Sequence, residues 1–181
     1  MEELKNRLEK IELLALDVDG VLTDGTINMG AEGELFKAFH AQDGMGISCA
    51  NRAGLKISII TGRKSAIIHN RCQELKIELL REGVQDKRLE LLTMAQELGL
   101  AREQLAFMGD DLNDLPAFSV SGVSFAPRDA VMDVQDRADI VCQQQGGHGA
   151  VREAIEMILR AQKKWQAIVS AYLQEGQGDR Q

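Results

Sequence analysis

Asp17 and Asp19 stand two residues apart directly after the apolar run Leu13-Leu14-Ala15-Leu16, and Gly20 follows them. Two carboxylates with this spacing at a strand's end can project to one side. Such a pair makes a cation site, or a nucleophile with an acid/base partner. Gly20 offers backbone angles closed to other residues, so the chain can turn away sharply. A solvated Asp-x-Asp turn would contain the same residues. A second acidic group, Gly109-Asp110-Asp111-Leu112-Asn113-Asp114, follows the apolar run Leu105-Ala106-Phe107-Met108. Asp110 and Asp114 are one helical turn apart and share a face. Helix capping accounts for one aspartate here, but not for three among Asp110 to Asp114. Hard cations such as Mg²⁺ take carboxylate oxygens together with water and substrate phosphate, so both groups suit one Mg²⁺ site if the fold joins them.

Between the acidic groups lie Thr61-Gly62-Arg63 and Gln85-Asp86-Lys87. A hydroxyl, backbone N–H groups freed by a glycine and a lysine together form a phosphate cradle. Taken singly, Thr61-Gly62 is an ordinary strand-to-helix turn and Lys87 a solvated lysine. Their order between the two acidic groups favours the cradle.

The elements that must position these residues are legible as an alternation. Apolar runs at Leu13–Leu16, Lys56–Ile60, Ile77–Leu80, Leu105–Met108, Gly122–Phe125 and Ala138–Cys142 read as buried strands. Helical patterns separate them, clearest at Asp86–Leu98 and at residues 150–173. Strands alternating with helices predict a three-layer α/β fold, a Rossmann-like parallel sheet covered on both faces. Ligands of such sheets bind beyond the carboxyl ends of the strands, where both aspartate groups fall. Thr26–Phe39 breaks the alternation: apolar residues recur two apart around a glycine-rich centre, which predicts a protruding β-hairpin. The whole chain, 1–181, reads as one domain with that hairpin as its insertion and the last seven residues, Glu175–Gln181, as a frayed tail.

Composition narrows the function. The 181 residues are 44% hydrophobic and 27% charged, a globular balance. The net charge of -7 opposes a general nucleic-acid surface, and 4% aromatics opposes base stacking. No apolar run reaches the roughly 18 residues of a membrane span, and the amino terminus has no signal-peptide block, so a cytoplasmic protein is expected. Cys49, Cys72 and Cys142 are odd in number and widely spaced, which predicts buried reduced thiols. His69 reads as structural or solvated. The Gly146–Gly149 segment around His148 reads as a turn before the last helix.

These motifs in this order resemble those of the haloacid dehalogenase superfamily of phosphohydrolases: Asp17-Val18-Asp19-Gly20-Val21, then Thr61, then Lys87, then Gly109-Asp110-Asp111 with Asp114. The resemblance spans roughly Leu13 to Val151. The segments LDVDGVLTDG, FHAQDGMGI, ITGRKS, GDDLNDLP and GGHGAVRE, with the hairpin, further resemble the family of 3-deoxy-D-manno-octulosonate 8-phosphate phosphatases. That resemblance implies a fold without a large cap domain. It implies a homotetramer in which hairpins of neighbouring subunits pack together and help cover the active sites, with the Gly146–Gly149 segment approaching a neighbour's site. It implies Mg²⁺-dependent hydrolysis of a phosphorylated sugar acid in lipopolysaccharide precursor synthesis, with no nucleic acid and no membrane as partner.

Residue by residue, the resemblance makes Asp17 the nucleophile and Asp19 the general acid and base. Asp17, Asp110 and the backbone carbonyl of Asp19 become Mg²⁺ ligands, with Asp114 behind them or holding waters. Thr61 and Lys87 become the phosphoryl-binding pair. Arg63, Arg71 and the stretch His40-Ala41-Gln42-Asp43-Gly44 become substrate contacts. At Ser48 the family pattern has a basic residue that helps bind substrate, and the serine here lacks that charge. A phosphatase for a related nine-carbon acid keeps every one of these residues. A phospho-receiver switch also combines aspartates, a threonine and a lysine on such a sheet. There the acidic pair follows the first strand and the phosphorylated aspartate a central one, the reverse of the order here. An inactive homologue is disfavoured because every catalytic position is kept.

Overall fold

The computed structural model describes residues 2–175. In chain order the elements are α1 (Glu2–Leu8), β1 (Leu13–Leu16), β2 (Asn28–Gly30), β3 (Gly33–Phe36), α2 (Ala41–Ala53), β4 (Lys56–Thr61), α3 (Ala66–Leu75), β5 (Leu79–Glu82) and α4 (Lys87–Leu98). They continue as β6 (Leu105–Met108), α5 (Leu115–Phe118), β7 (Val123–Ala126), α6 (Met132–Gln135), β8 (Ile140–Val141), α7 (Ala150–Ala161) and α8 (Trp165–Glu175). Six strands form one parallel sheet in the order β5-β4-β1-β6-β7-β8, and β2 pairs antiparallel with β3. The fold is the expected Rossmann-like α/β sandwich with a hairpin and no large cap.

The alternation of side chains along each strand builds two cores. Leu14, Leu16, Ile57 and Ile59 pack on one face with α2 and α7, while Leu13, Ala15, Ile60 and Phe107 pack on the other with α4 and α5. Every residue of β1, β6 and β7 is buried, which explains their near-continuous apolar sequences. From β1 the chain builds outward to β4 and β5, then returns to the other side of β1 to lay down β6. Leu16 lies level with Met108, so Asp17 and Gly109 leave neighbouring strands side by side. That is the crevice where strand order reverses.

Several boundaries differ from expectation. The third strand runs 79–82 rather than 77–80, because Ile77 N–H donates to Cys72 O at 2.8 Å and still closes the end of α3. The next-to-last strand moves one residue on, to 123–126, and the last shortens to 140–141. The single helix expected over 150–173 is two: Lys163 takes a left-handed φ of 58°, and Lys164 N–H returns to Leu159 O at 2.8 Å. No glycine or proline marks that break. Arg152 and Arg160 then stack on Trp165, 4.8 and 5.4 Å from its ring centre, and fix the turn. Beyond Glu175, the tail expected to fray lies outside the described residues. The three cysteines are buried.

Candidate active site

Lys87 opens α4, whose amino terminus is capped by Asp86 accepting from Leu89 N–H at 3.0 Å. The lysine side chain turns inward and is only 2% exposed. Its Nζ lies 2.6 Å from Asp114 Oδ1 and 3.0 Å from Asp17 Oδ1. Asp114 is fully buried, and its second oxygen accepts from the N–H groups of Asp110 (2.9 Å) and Asp111 (3.3 Å). Asp114 therefore holds the loop after β6 in place while also holding Lys87. Gly20 permits the closeness of the two acidic loops: it has φ +86°, and a Cβ there would lie 2.0 Å from Asp110 Oδ2.

Asp17, Asp110 and Asp114 each offer a carboxylate oxygen, and these oxygens lie within 4.8 Å of one another. Three carboxylates share one ammonium. Burial, then repulsion from Asp114, pushes the Asp17 carboxyl up to about 6, although Lys87 offsets part of this. Burial, then Asp17, Asp114 and Asp111, pushes Asp110 up to about 7. Burial alone would lower Lys87, but Asp17 and Asp114 outweigh it and hold the ammonium above its ordinary value. Asp110 Oδ1 is buried and has no hydrogen-bond partner among the described residues. An all-oxygen cluster with surplus negative charge and an orphaned carboxylate oxygen fits a hard dication such as Mg²⁺.

Asp19 faces a different set of groups. The turn after β1 is tight, with the N–H groups of Val21, Leu22 and Thr23 all reaching Val18 O. Asp19 is thereby turned towards the hairpin, where Lys37 Nζ donates to its Oδ1 at 2.5 Å. Lys37 also lies 2.9 Å from Glu34, and its side chain is 2% exposed. Glu34 in turn accepts from the Ser65 hydroxyl. Arg63 Nε is 3.8 Å from Asp19 Oδ2. Sequence reasoning missed Lys37 and Glu34. The only hint was a lysine set between Phe36 and Phe39 in an otherwise apolar strand end.

The remaining expected residues separate into two groups. Thr61 is buried at the end of β4, with Arg63 N–H 3.4 Å from its hydroxyl, so it joins the crevice. Gly62 needs no left-handed backbone angle. Arg71, Ala41, Gly44 and Ser48 instead line a neighbouring cleft of about 660 Å³ with Phe39 and Arg52. Arg71 lies 5.2 Å from the Phe39 ring centre and pairs with Glu74 at 2.7 Å. His40 precedes α2, its Nδ1 buried without a hydrogen-bond partner among the described residues and 4.0 Å from Asp43 Oδ2, and Gln42 is exposed. Asp43 does not open to a ligand. It is 2% exposed and accepts from Gly149 N–H (3.2 Å) and Arg152 N–H (2.8 Å), capping α7 from α2. The Gly146–Gly149 segment packs on its own chain: Gly147 N–H donates to Val21 O at 2.9 Å, and a Cβ on Gly146 would lie 1.8 Å from Gly20 O. His69 pairs with Glu82 at 2.6 Å.

A crevice at the reversal of strand order, with a carboxylate beside a buried lysine and a hard-cation cluster, defines the phosphohydrolase class that the sequence motifs suggested. The model of the haloacid dehalogenase-like hydrolases matches residues 76–155. The 3-deoxy-D-manno-octulosonate 8-phosphate phosphatase of Escherichia coli strain K12 is 44% identical over 158 residues, 87% of this chain and 84% of that protein. The same-named phosphatase of Moraxella catarrhalis, solved with magnesium, phosphate and its sugar acid, superposes with TM-score 0.92 at 37% identity, over 95% of this chain and 99% of that one. The cobalt-bound enzyme of Haemophilus influenzae gives 0.89 at 39%, over 93% and 99%. The chain belongs to the 3-deoxy-D-manno-octulosonate 8-phosphate phosphatase family.

Proposed function

We propose that the protein hydrolyses 3-deoxy-D-manno-octulosonate 8-phosphate to the free sugar acid and phosphate. The observation that carries this reading is the buried cluster in which Asp17 shares Lys87 with Asp114 while Asp19 stands apart on the hairpin side. Asp17 attacks phosphorus, and the bond to the sugar oxygen breaks with its electron pair on that oxygen. Asp19 gives the departing oxygen a proton. It then takes a proton from the water that attacks the aspartyl phosphate, which releases phosphate and restores both carboxyls. Lys87 and Thr61 hold the phosphoryl oxygens. Asp17, Asp110 and the Asp19 carbonyl would hold Mg²⁺, with Asp114 orienting the loop, and the bound ion would offset the repulsion between anionic nucleophile and anionic phosphate.

Arg63 Nε stands 3.8 Å from Asp19 Oδ2 and is half-exposed, which supports a role in meeting the sugar acid's carboxylate. Arg71 and Ser48 lie in the adjoining cleft and contact the more distant part of the sugar. The enzyme acts in the cytoplasm, in lipopolysaccharide precursor synthesis. It is a homotetramer assembled through the hairpin, whose Met29, Leu35 and Phe36 are more than half exposed at 56%, 64% and 55%; a two-stranded apolar hairpin needs a partner surface. No helix among the described residues is long and apolar enough to cross a membrane.

A panel of phosphorylated sugar acids tests the substrate: preference for the octulosonate supports the reading, and preference for a nine-carbon acid overturns it. On the octulosonate phosphate, Arg63→Ala is expected to lower kcat/KM about tenfold to a hundredfold, with a smaller loss on a neutral aryl phosphate. Equal losses on both would assign Arg63 to the phosphate instead. Light scattering that finds a monomer would refute the tetramer.

A further inference from the structure

Lys37 is an unusual choice for the return end of a short surface hairpin. Its ammonium is buried between two carboxylates of different elements, Asp19 after β1 and Glu34 on β3. Burying an ammonium costs several kcal/mol unless its partners compensate fully. Here both partners lie within hydrogen-bond distance, Asp19 Oδ1 at 2.5 Å and Glu34 Oε1 at 2.9 Å. Glu34 is fixed from behind by the Ser65 hydroxyl, and Ser65 N–H by Glu82 at 2.9 Å. A chain of polar contacts thus runs from the end of β5, across the hairpin, to Asp19. It ends on Oδ1 of that carboxyl only. Arg63 Nε lies 3.8 Å from Oδ2, beyond hydrogen-bond reach, and is half-exposed.

We infer that Lys37 is a positioning residue for leaving-group protonation: it anchors Asp19 Oδ1 and leaves Oδ2 free to pass the proton. The inference rests on the reading of Asp19 as general acid and base. Lys37 touches neither phosphate nor sugar in this scheme. Its contribution is to hold one oxygen of the acid so that the other faces the breaking bond, and general acids act only within hydrogen-bond reach. The hairpin has a second duty on this view, because its seating sets the orientation of Asp19.

The test is kcat/KM over a series of aryl phosphates graded from p-nitrophenyl to phenyl, which lack all sugar contacts. The p-nitrophenolate leaves without a proton, whereas the more basic phenolate needs one. Lys37→Met is expected to lose about tenfold to a hundredfold at the phenyl end and no more than about threefold at the p-nitrophenyl end, steepening the dependence on leaving-group basicity. Lys37→Arg, which keeps a donor, is expected to restore most of the loss. Should Lys37→Met fail to fold because half-buried Glu34 loses its cation, the double variant Glu34→Gln/Lys37→Met is measured instead. Parallel losses across the series would overturn the inference and make Lys37 a structural anchor. Asp19→Asn separates the two failures. If it too loses equally across the series, the acid role of Asp19 is wrong. If Asp19→Asn steepens the series and Lys37→Met does not, only the role of Lys37 falls.

Discussion

Arg7 and Asp139 close one end of the parallel strands, and Lys87 with Asp17, Asp110 and Asp114 fills the other. At the first end the charges match one to one. Arg7 grips Asp139 in two-pronged fashion at 2.7 and 2.8 Å and also donates to Gly122 O at 2.9 Å. Asp139 accepts in addition from the Ser124 N–H and hydroxyl, both at 2.9 Å. Although partial burial alone would raise it, Arg7 and Ser124 outweigh that and hold the Asp139 carboxyl below its ordinary value. At the second end three clustered carboxylates have one ammonium, which pairs with Asp17 and Asp114, and Asp17 and Asp110 are pushed upward. The same residue types serve stability at one end and store unrelieved repulsion at the other. A protein that matches its charges one to one at one end has left the other end short of positive charge where a cation and an anionic ester belong.

The largest expected effect comes from the strained end. Asp17→Asn should lower kcat/KM by roughly 10⁴-fold or more, the scale on which nucleophile removal acts. It should leave the fold intact, since it also removes a crowded charge. Steady-state assays beside a circular dichroism melt check both halves, and retained turnover would break the proposed mechanism. Asp110→Asn sharpens the contrast by separating metal from fold. In chelator it should melt at or above the wild-type temperature, because one repulsive carboxylate is gone. Wild type should gain about 2.7 kcal/mol at Mg²⁺ a hundred times its dissociation constant, and the variant far less. Equal Mg²⁺ stabilisation of both proteins would remove Asp110 from the metal site.

The two ends also differ in how much of them the sequence discloses. The strained end is legible because its residues sit in short runs directly after apolar strands, as Asp17 after Leu16 and Asp110 after Met108. The alternation of strand and helix announces the parallel sheet, whereas the strand order that sets β6 beside β1 and joins those runs comes from the structure. Lys37 was not legible, because its contact with Asp19 depends on how the hairpin folds back and on no local spacing. Asp43 presents a different case. It adjoins residues expected to touch substrate, yet its helix turns the carboxylate inward to cap α7. The break at residues 162–164 escaped because a lysine in a left-handed conformation leaves no compositional mark. The Arg7–Asp139 clamp joins residues 132 apart, and nothing in either segment announces the other.

That clamp gives the smallest effect and the cleanest control. Asp139→Asn keeps the shape and part of the hydrogen bonding but loses the charge-assisted grip of Arg7. The pair is half-exposed, so solvent screening reduces its worth, and the expected loss at neutral pH is about 1 kcal/mol. The sign of its pH dependence follows from the lowered carboxyl. Asp139 is ionised in both folded and unfolded chains above its ordinary value near 4, and there its stabilisation is complete. As pH falls through the depressed folded value the grip is lost, so wild type should weaken towards acid while the variant lacks that component. Denaturant melts at pH 7 and in steps below pH 4 would show the gap between the two proteins narrowing. Because this end of the sheet lies away from the phosphoryl-binding crevice, kcat/KM should stay within about twofold of wild type. A gap that widens in acid would reverse the assignment of Asp139 as a satisfied carboxylate, and a marked loss of kcat/KM would show that the two ends are coupled through the strands between them.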